Sequence, residues 1–235
     1  MEHHGSPWYP VAISGAIILF WTVLGAWGTR RLQLVPSGAQ NILELIYTSL
    51  EGFVVGVMGP LGRNYAPFIA TLFLYILTMN LAGLVPFLKS PTASPNTTIA
   101  LALVAFCYVQ FQGIRVLGLG GYLKHMAGEP IWLAWLMLPI HLIGELAKPL
   151  SLSLRLFGNI FGEDMVIVIL AGLSPAVLSP FIRIVPTQFP MMLFGVFTSI
   201  VQALVFSMLT SIYIVQLVGE HMEHAAHREA EQAAH

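Results

Sequence analysis

A cluster of ionisable and amide side chains interrupts one of the most apolar parts of the chain. His141, Glu145, Lys148, Arg155, Asn159, Glu163 and Asp164 all fall within the stretch HLIGELAKPLSLSLRLFGNIFGED. At the helical advance of about 100° per residue, all of these except Asp164 share an arc of about 80° on one face, with Ser151 at its edge. Charges inside a bilayer cost several kcal/mol and face a protein interior or a water-filled cavity. Glu145 has local partners in Lys148 at i+3 and His141 at i−4, so a salt-bridged packing face accounts for those three. Arg155 has no such local account, because a guanidinium keeps its proton at any relevant pH. No acidic residue lies three or four positions from it, Asn159 offers only an amide oxygen, and Glu163 is about 12 Å away along a helix axis. The other apolar stretches, 66–88, 98–118 and 187–219, contain no Asp or Glu. Arg155 is therefore expected to face a carboxylate on another subunit or an aqueous cavity. In the last apolar stretch Gln188, Gly195, Ser199, Gln202 and Thr210 form a milder stripe. Gln202 is the candidate to sit opposite Arg155, whereas Ser199 and Thr210 suit interhelical hydrogen bonding equally well.

The elements that must position these residues follow from hydropathy. Spans are expected at about 9–29, 66–88, 98–118, 131–173 and 187–219, each long enough for a hydrocarbon core about 30 Å thick. The stretch 131–173 would be about 60 Å long as one helix, so it either crosses once, strongly tilted, or turns back near Pro149; the single long helix is favoured, as it is for 187–219. Residues 37–58 differ. Ile42, Leu45, Ile46, Leu50 and Phe53 recur at helical spacing while Asn41, Glu44 and Glu51 interrupt any lipid-facing run, which reads as an interfacial amphipathic helix that Ser37 could cap. KSPTASPNTT, between the second and third spans, is rich in turn formers. The expected fold is thus all-α, one membrane domain over 1–235, with about five spans and a polar tail at 220–235.

Composition agrees. The chain is 57% hydrophobic and 9% charged, against roughly 25% charged in soluble domains. The formal net charge of −1 and the lack of a basic run argue against a nucleic-acid partner. Cys107 stands alone, which excludes an intramolecular disulfide. Arg30 and Arg31 follow the first apolar stretch rather than precede it, unlike a signal peptide. With the N-terminus outside, Arg30, Arg31, Arg63, Arg115, Lys124 and Arg228 lie on the cytoplasmic side and only Lys89 and Arg183 outside, in keeping with the positive-inside rule. His221, His224 and His227 recur at spacing three in the tail, where a solvated helix end accounts for them better than a metal site. No cofactor or metal is expected.

The run AKPLSLSLRLFGNIFGEDMVIVILAG, together with FGVFTSIVQALVFSMLTSIYI, closely resembles subunit a of the F-type ATP synthase, the membrane stator of a rotary motor. The resemblance is strongest over 139–219 and extends more loosely through LTMNLAGLVPF. It implies a ring of c subunits, each with a mid-membrane carboxylate, peripheral-stalk b subunits, and two aqueous half-channels offset across the ring. Arg155 matches the arginine that faces the ring carboxylate, and Asn159 an asparagine one turn along. Asp164, with Glu163 beside it, matches an acidic position of the outer half-channel, and Gln202 a glutamine near the arginine. His141 stands where some members carry a glutamate lining the inner half-channel, and Glu145 is one turn further on. Gly195 stands where some members have a histidine. The implied location is a bacterial inner membrane, with H⁺ or Na⁺ as the ion. A secondary transporter using Arg155 to bind an anionic substrate is the competing class; it would call for internal symmetry, and none is visible in the sequence. A membrane-embedded enzyme would need a nucleophile–base pair or zinc motif, and HLIGE supplies neither.

Overall fold

The structure, a computed structural model, describes residues 8–28, 38–85, 90–127, 134–177 and 189–233; for 163, 164, 167, 170–177, 189–191 and 220–233, among others, it describes the helix backbone alone. Ser37, Arg30, Arg31, Lys89, Arg183 and the joint at 178–188 lie outside the described residues. Six α-helices follow one another: α1 (Tyr9–Gly28), α2 (Ala39–Met58), α3 (Gly62–Ala82), α4 (Pro95–Ala127), α5 (Ala134–Val177) and α6 (Phe189–Ala233). Short 3₁₀ turns, Gly59–Leu61 and Pro91–Ala93, precede α3 and α4. No strand occurs among the described residues.

Among the described residues four stretches are long and apolar enough to cross a bilayer: Tyr9–Gly28, Gln40–Ala82, Pro95–Tyr122 and Met192–Gly219. α5, 44 residues long, carries the charged stripe. The molecule is an all-helical, integral membrane protein. α5 runs unbroken through Pro149, although a proline removes one backbone donor from the helix ladder. α6 likewise continues from the apolar stretch into the polar tail without interruption.

Two apolar clusters hold the helices together. Val54 and Met58 of α2, Tyr65, Ala66 and Ile69 of α3, Val109 of α4 and Ile214, Leu217 and Val218 of α6 form the first. Leu72 and Ile76 of α3, Leu101, Ala102 and Ala105 of α4, Leu152 and Leu156 of α5, and Ala203 and Phe206 of α6 form the second. Stacked rings of Phe68 and Tyr108, with centroids 3.5 Å apart, join α3 to α4. α3, α4 and α6 are the frame, because each contributes to both clusters. α1 hardly joins: Ile17 is its only buried residue, and Trp21 Nε1 donates to Thr78 Oγ1 at 3.0 Å.

α2 and α3 form a tight hairpin. Gly59 takes φ 68°, open to glycine at no steric cost, and its N–H bonds the Val55 carbonyl. A Cβ on Gly62 would lie 2.9 Å from the Val54 carbonyl oxygen, so only glycine lets α3 begin against α2. α2 buries Val54 and leaves Ile42 and Leu45 exposed. Its Glu51 pairs with Arg63 at 2.9 Å across the turn. Both ends of that pair lie where the chain reverses, and the pairing adds little beyond the apolar contacts because Arg63 is largely exposed.

The turn-rich segment after α3 folds inward instead of lying on the surface. Ser90, Thr92 and Thr98 are buried. Ser90 Oγ donates to the Met79 carbonyl at 3.1 Å and Thr92 Oγ1 to Asn80 Oδ1 at 2.9 Å. Ser153 Oγ of α5 donates to Thr98 Oγ1 at 3.5 Å. In a bilayer no water is at hand to satisfy these groups, so they satisfy one another.

Replacing Gly62 by alanine is expected to destabilise the assembled protein by about 1–3 kcal/mol, read as a lower thermal-unfolding midpoint in detergent. Gly52→Ala, where nothing approaches within 4 Å, should leave the midpoint unchanged or raise it.

Candidate functional site on α5 and α6

α5 is seated by Leu152, Leu156 and Ile160, spaced by four residues and all buried, together with Ser153. That seating turns the next strip of the helix outward. Arg155 and Asn159, four residues apart, are both exposed. Apolar Leu150, Leu154 and Phe161 beside them are exposed as well, as are Phe194, Phe197, Val201 and Leu204 on α6. The two helices thus present a broad apolar surface with a cation set into it.

Among the described residues Arg155 has no carboxylate within ion-pairing distance, as the spacing led us to expect. Gln202 reaches the site from α6. Its side chain is buried, and Asn159 Nδ2 donates to Gln202 Oε1 at 2.7 Å. Gln202 is therefore the neighbour of Asn159 rather than a direct ligand of Arg155. Its Nε2 remains buried without a partner, as does Ser199 Oγ. Thr210 Oγ1 bonds the Phe206 carbonyl of its own helix at 2.9 Å, so it is not interhelical glue. Gly195 is buried, and its carbonyl accepts from Thr198 Oγ1 at 3.0 Å. Glu163 and Asp164 lie on α5, two turns and more beyond Arg155; their side chains lie outside what is described.

A second polar group lies toward the start of α5. Lys148 Nζ pairs with Glu145 Oε1 one turn earlier. The other carboxylate oxygen, Oε2, accepts from Gln110 Nε2 of α4 at 2.7 Å, and Tyr122 Oη donates to Gln110 Oε1 at 2.7 Å. The Lys148 ammonium lies 5.1 Å from the centre of the Tyr213 ring on α6, a cation–π contact that keeps part of its charge solvated by the protein. Tyr213 also lies within electrostatic reach of Arg155. His141 does not pair with Glu145. It is exposed, and its Nδ1 meets the Met126 carbonyl at 2.9 Å. A cavity of about 10 Å³ beneath Glu145, Lys148 and Thr210 is just large enough for one water.

Glu145, Lys148 and His141 thus share a region as their spacing suggested, and Arg155, Asn159 and Gln202 share another. Gln110, Tyr122 and Tyr213 escaped the reading of the sequence. The signal was there for Gln110, an amide inside an otherwise apolar span. Tyr122 gave none, since only a bend in α4 brings it near. No group of metal-ligating side chains occurs among the described residues.

A polytopic helical membrane protein with an exposed arginine on a long helix, without a carboxylate partner among the described residues and beside an amide pair, is the class this arrangement defines. Residues 10–215 match the family model described as ATP synthase A chain. The ATP synthase subunit a of Solidesulfovibrio magneticus is 49% identical over 192 residues, covering 82% of this chain and 76% of that protein. That of Moorella thermoacetica is 42% identical over 216 residues, covering 92% and 93%, and that of Citrifermentans bemidjiense 45% identical over 204 residues, covering 87% and 85%. The chain belongs to the ATP synthase A chain family.

The amide pair has an asymmetric consequence. Asn159→Leu strands both polar ends of the buried Gln202 amide and should cost about 1–3 kcal/mol. Gln202→Leu removes the buried amide and leaves an exposed Asn159 that solvent or a partner can satisfy, so its cost should be well below that. Thermal-unfolding midpoints of the purified complex with each variant check the order.

Proposed function

We propose that this chain is the ion-translocating stator subunit of an F-type ATP synthase, coupling H⁺ or Na⁺ flow to rotation of a c-subunit ring. The observation that carries the reading is Arg155: a permanent cation, exposed on an apolar helix surface, with no carboxylate of its own among the described residues. In hydrocarbon an arginine near the bilayer centre costs about 3 kcal/mol or more. A ring whose subunits each carry a mid-membrane carboxylate supplies the missing counter-charge, one subunit at a time.

The physics of rotation follows. A bare carboxylate cannot enter lipid, whereas its protonated or ion-occupied form can. Opposite Arg155 the ring carboxylate is held in its charged, empty form. It then takes an ion from one aqueous route and travels round neutral, and it releases the ion into the other route. Arg155 also separates the two routes, since a cation there repels an ion attempting to pass straight through. Asn159, tethered to Gln202, borders the guanidinium and limits its swing. His141 and Glu145 serve the inner route, Glu163 and Asp164 the outer. The N-terminus lies outside and the C-terminus in the cytoplasm of a bacterial cell, in the inner membrane. The b subunits of a peripheral stalk keep this chain from turning with the ring. Family membership supports this assignment against a secondary transporter, as does the lack of any internal repeat.

Arg155→Ala should reduce ATP-driven ion uptake into vesicles reconstituted with the whole enzyme by roughly a hundredfold or more. Uptake at the normal rate would sink the reading. Single cysteines at 163 and 164, in a background with Cys107 replaced, should react with water-soluble thiol reagents in the assembled enzyme; complete protection of both would remove them from the outer route.

A further inference from the structure

The hydrogen-bond chain behind Glu145 is more directional than packing alone requires. A carboxylate only accepts, so Gln110 must present its Nε2 to Glu145 Oε2; its Oε1 then faces Tyr122, whose hydroxyl must donate. Lys148 supplies the second donor on the opposite oxygen. Both oxygens of Glu145 are thereby held by donors from two different helices. Tyr122 reaches Gln110 only because α4 bends. On a straight helix the two would stand about 18 Å apart. At Gly118 the backbone takes φ 70°, ψ 163°, a conformation a side chain resists. The same bend brings the Met126 carbonyl to His141. The last turns of α4 are thus tied at two points to the two residues assigned above to the inner route.

We infer that Gln110, itself oriented by Tyr122, is a positioning residue for the Glu145 carboxylate on the inner access route. This rests on the reading of Glu145 given under Proposed function. Gln110 touches neither ion nor ring; it fixes where the carboxylate sits and which lone pairs remain free. Besides Lys148 and Gln110, Tyr122 from α4 and Tyr213 from α6 lie within electrostatic reach of Glu145, while His141, one turn earlier on α5, meets the Met126 carbonyl.

The test uses the complete ATP synthase in vesicles, with ATP-driven uptake followed by a pH-sensitive dye and by radioactive Na⁺. Gln110→Met keeps the side chain's length and removes its donor. Uptake should fall about tenfold, the scale of one hydrogen bond to a charged group, and Tyr122→Phe should give a smaller loss. The ion concentration for half-maximal uptake should move while KM for ATP does not. In a Glu145→Gln background, Gln110→Met should add nothing, because its target is gone. Uptake at the wild-type rate in Gln110→Met, or losses that multiply in the double variant, would overturn the inference. Should Gln110→Met fail to assemble with the ring, the same cycle of Tyr122→Phe against Glu145→Gln decides. Normal uptake by Glu145→Gln beside a dead Arg155→Ala enzyme removes Glu145 from the route, and this inference with it, and leaves the stator reading standing. Normal uptake by Arg155→Ala overturns the stator reading itself.

Discussion

Hydrocarbon gives no counter-charge and no water, and a guanidinium cannot shed its proton to escape. Every feature around Arg155 can be understood from that constraint. The helix that carries it must be anchored by something other than the charge, and Leu152, Leu156 and Ile160 do this from the adjoining strip of the helix. The neighbouring amides must be kept from collapsing onto the guanidinium, and Asn159 and Gln202 satisfy each other. What is left is a cation aimed outward from a rigid seat, available to a partner that arrives from outside the chain.

The same constraint governs polar groups elsewhere. Ser90, Pro91 and Thr92 are buried among α1, α3, α4 and α5, and the two hydroxyls close onto Asn80, Met79 and each other. Glu145 is met on both oxygens. Where water is scarce, hydrogen-bond donors become scarce as well, and each buried acceptor draws its partners from whichever helix can supply them. This links the frame helices α3 and α4 to the site: α4 packs α5 through Ala102 and Ala105 and orients Glu145 through Gln110.

Much of this was legible from residue order. Hydropathy marked the stretches that carry the apolar helices, although α4 and α6 run on to Ala127 and Ala233, and the polar stripe of α5 could be drawn from spacing alone, including the absence of a local partner for Arg155. The limits are equally physical. α3 starts at Gly62 rather than near 66, because Gly62 fits against the Val54 carbonyl and lets the helix begin directly after the hairpin turn. KSPTASPNTT reads as turn-rich from its composition, which says nothing of burial; a membrane protein can bury part of such a segment once its hydroxyls pair. Gln202 was expected opposite Arg155 from its place in the polar stripe of the last span; that its amide oxygen accepts from Asn159, one turn along from Arg155, is a contact between helices that spacing within one span does not give.

What the sequence by itself determined is chemistry and periodicity: which residues keep a charge, how far apart they stand along a helix, and that lipid must surround them. Those quantities are local, since one turn of helix follows from its own residues. Only the tertiary structure decided which residues meet. The reach of Tyr122 to Gln110 depends on the bend at Gly118, the outward aim of Arg155 on three leucine and isoleucine side chains seated against other helices, and the choice between His141 and Lys148 as the partner of Glu145 on where the end of α4 comes to rest. Such pairings are set by packing between distant segments, and spacing within one segment carries no record of them.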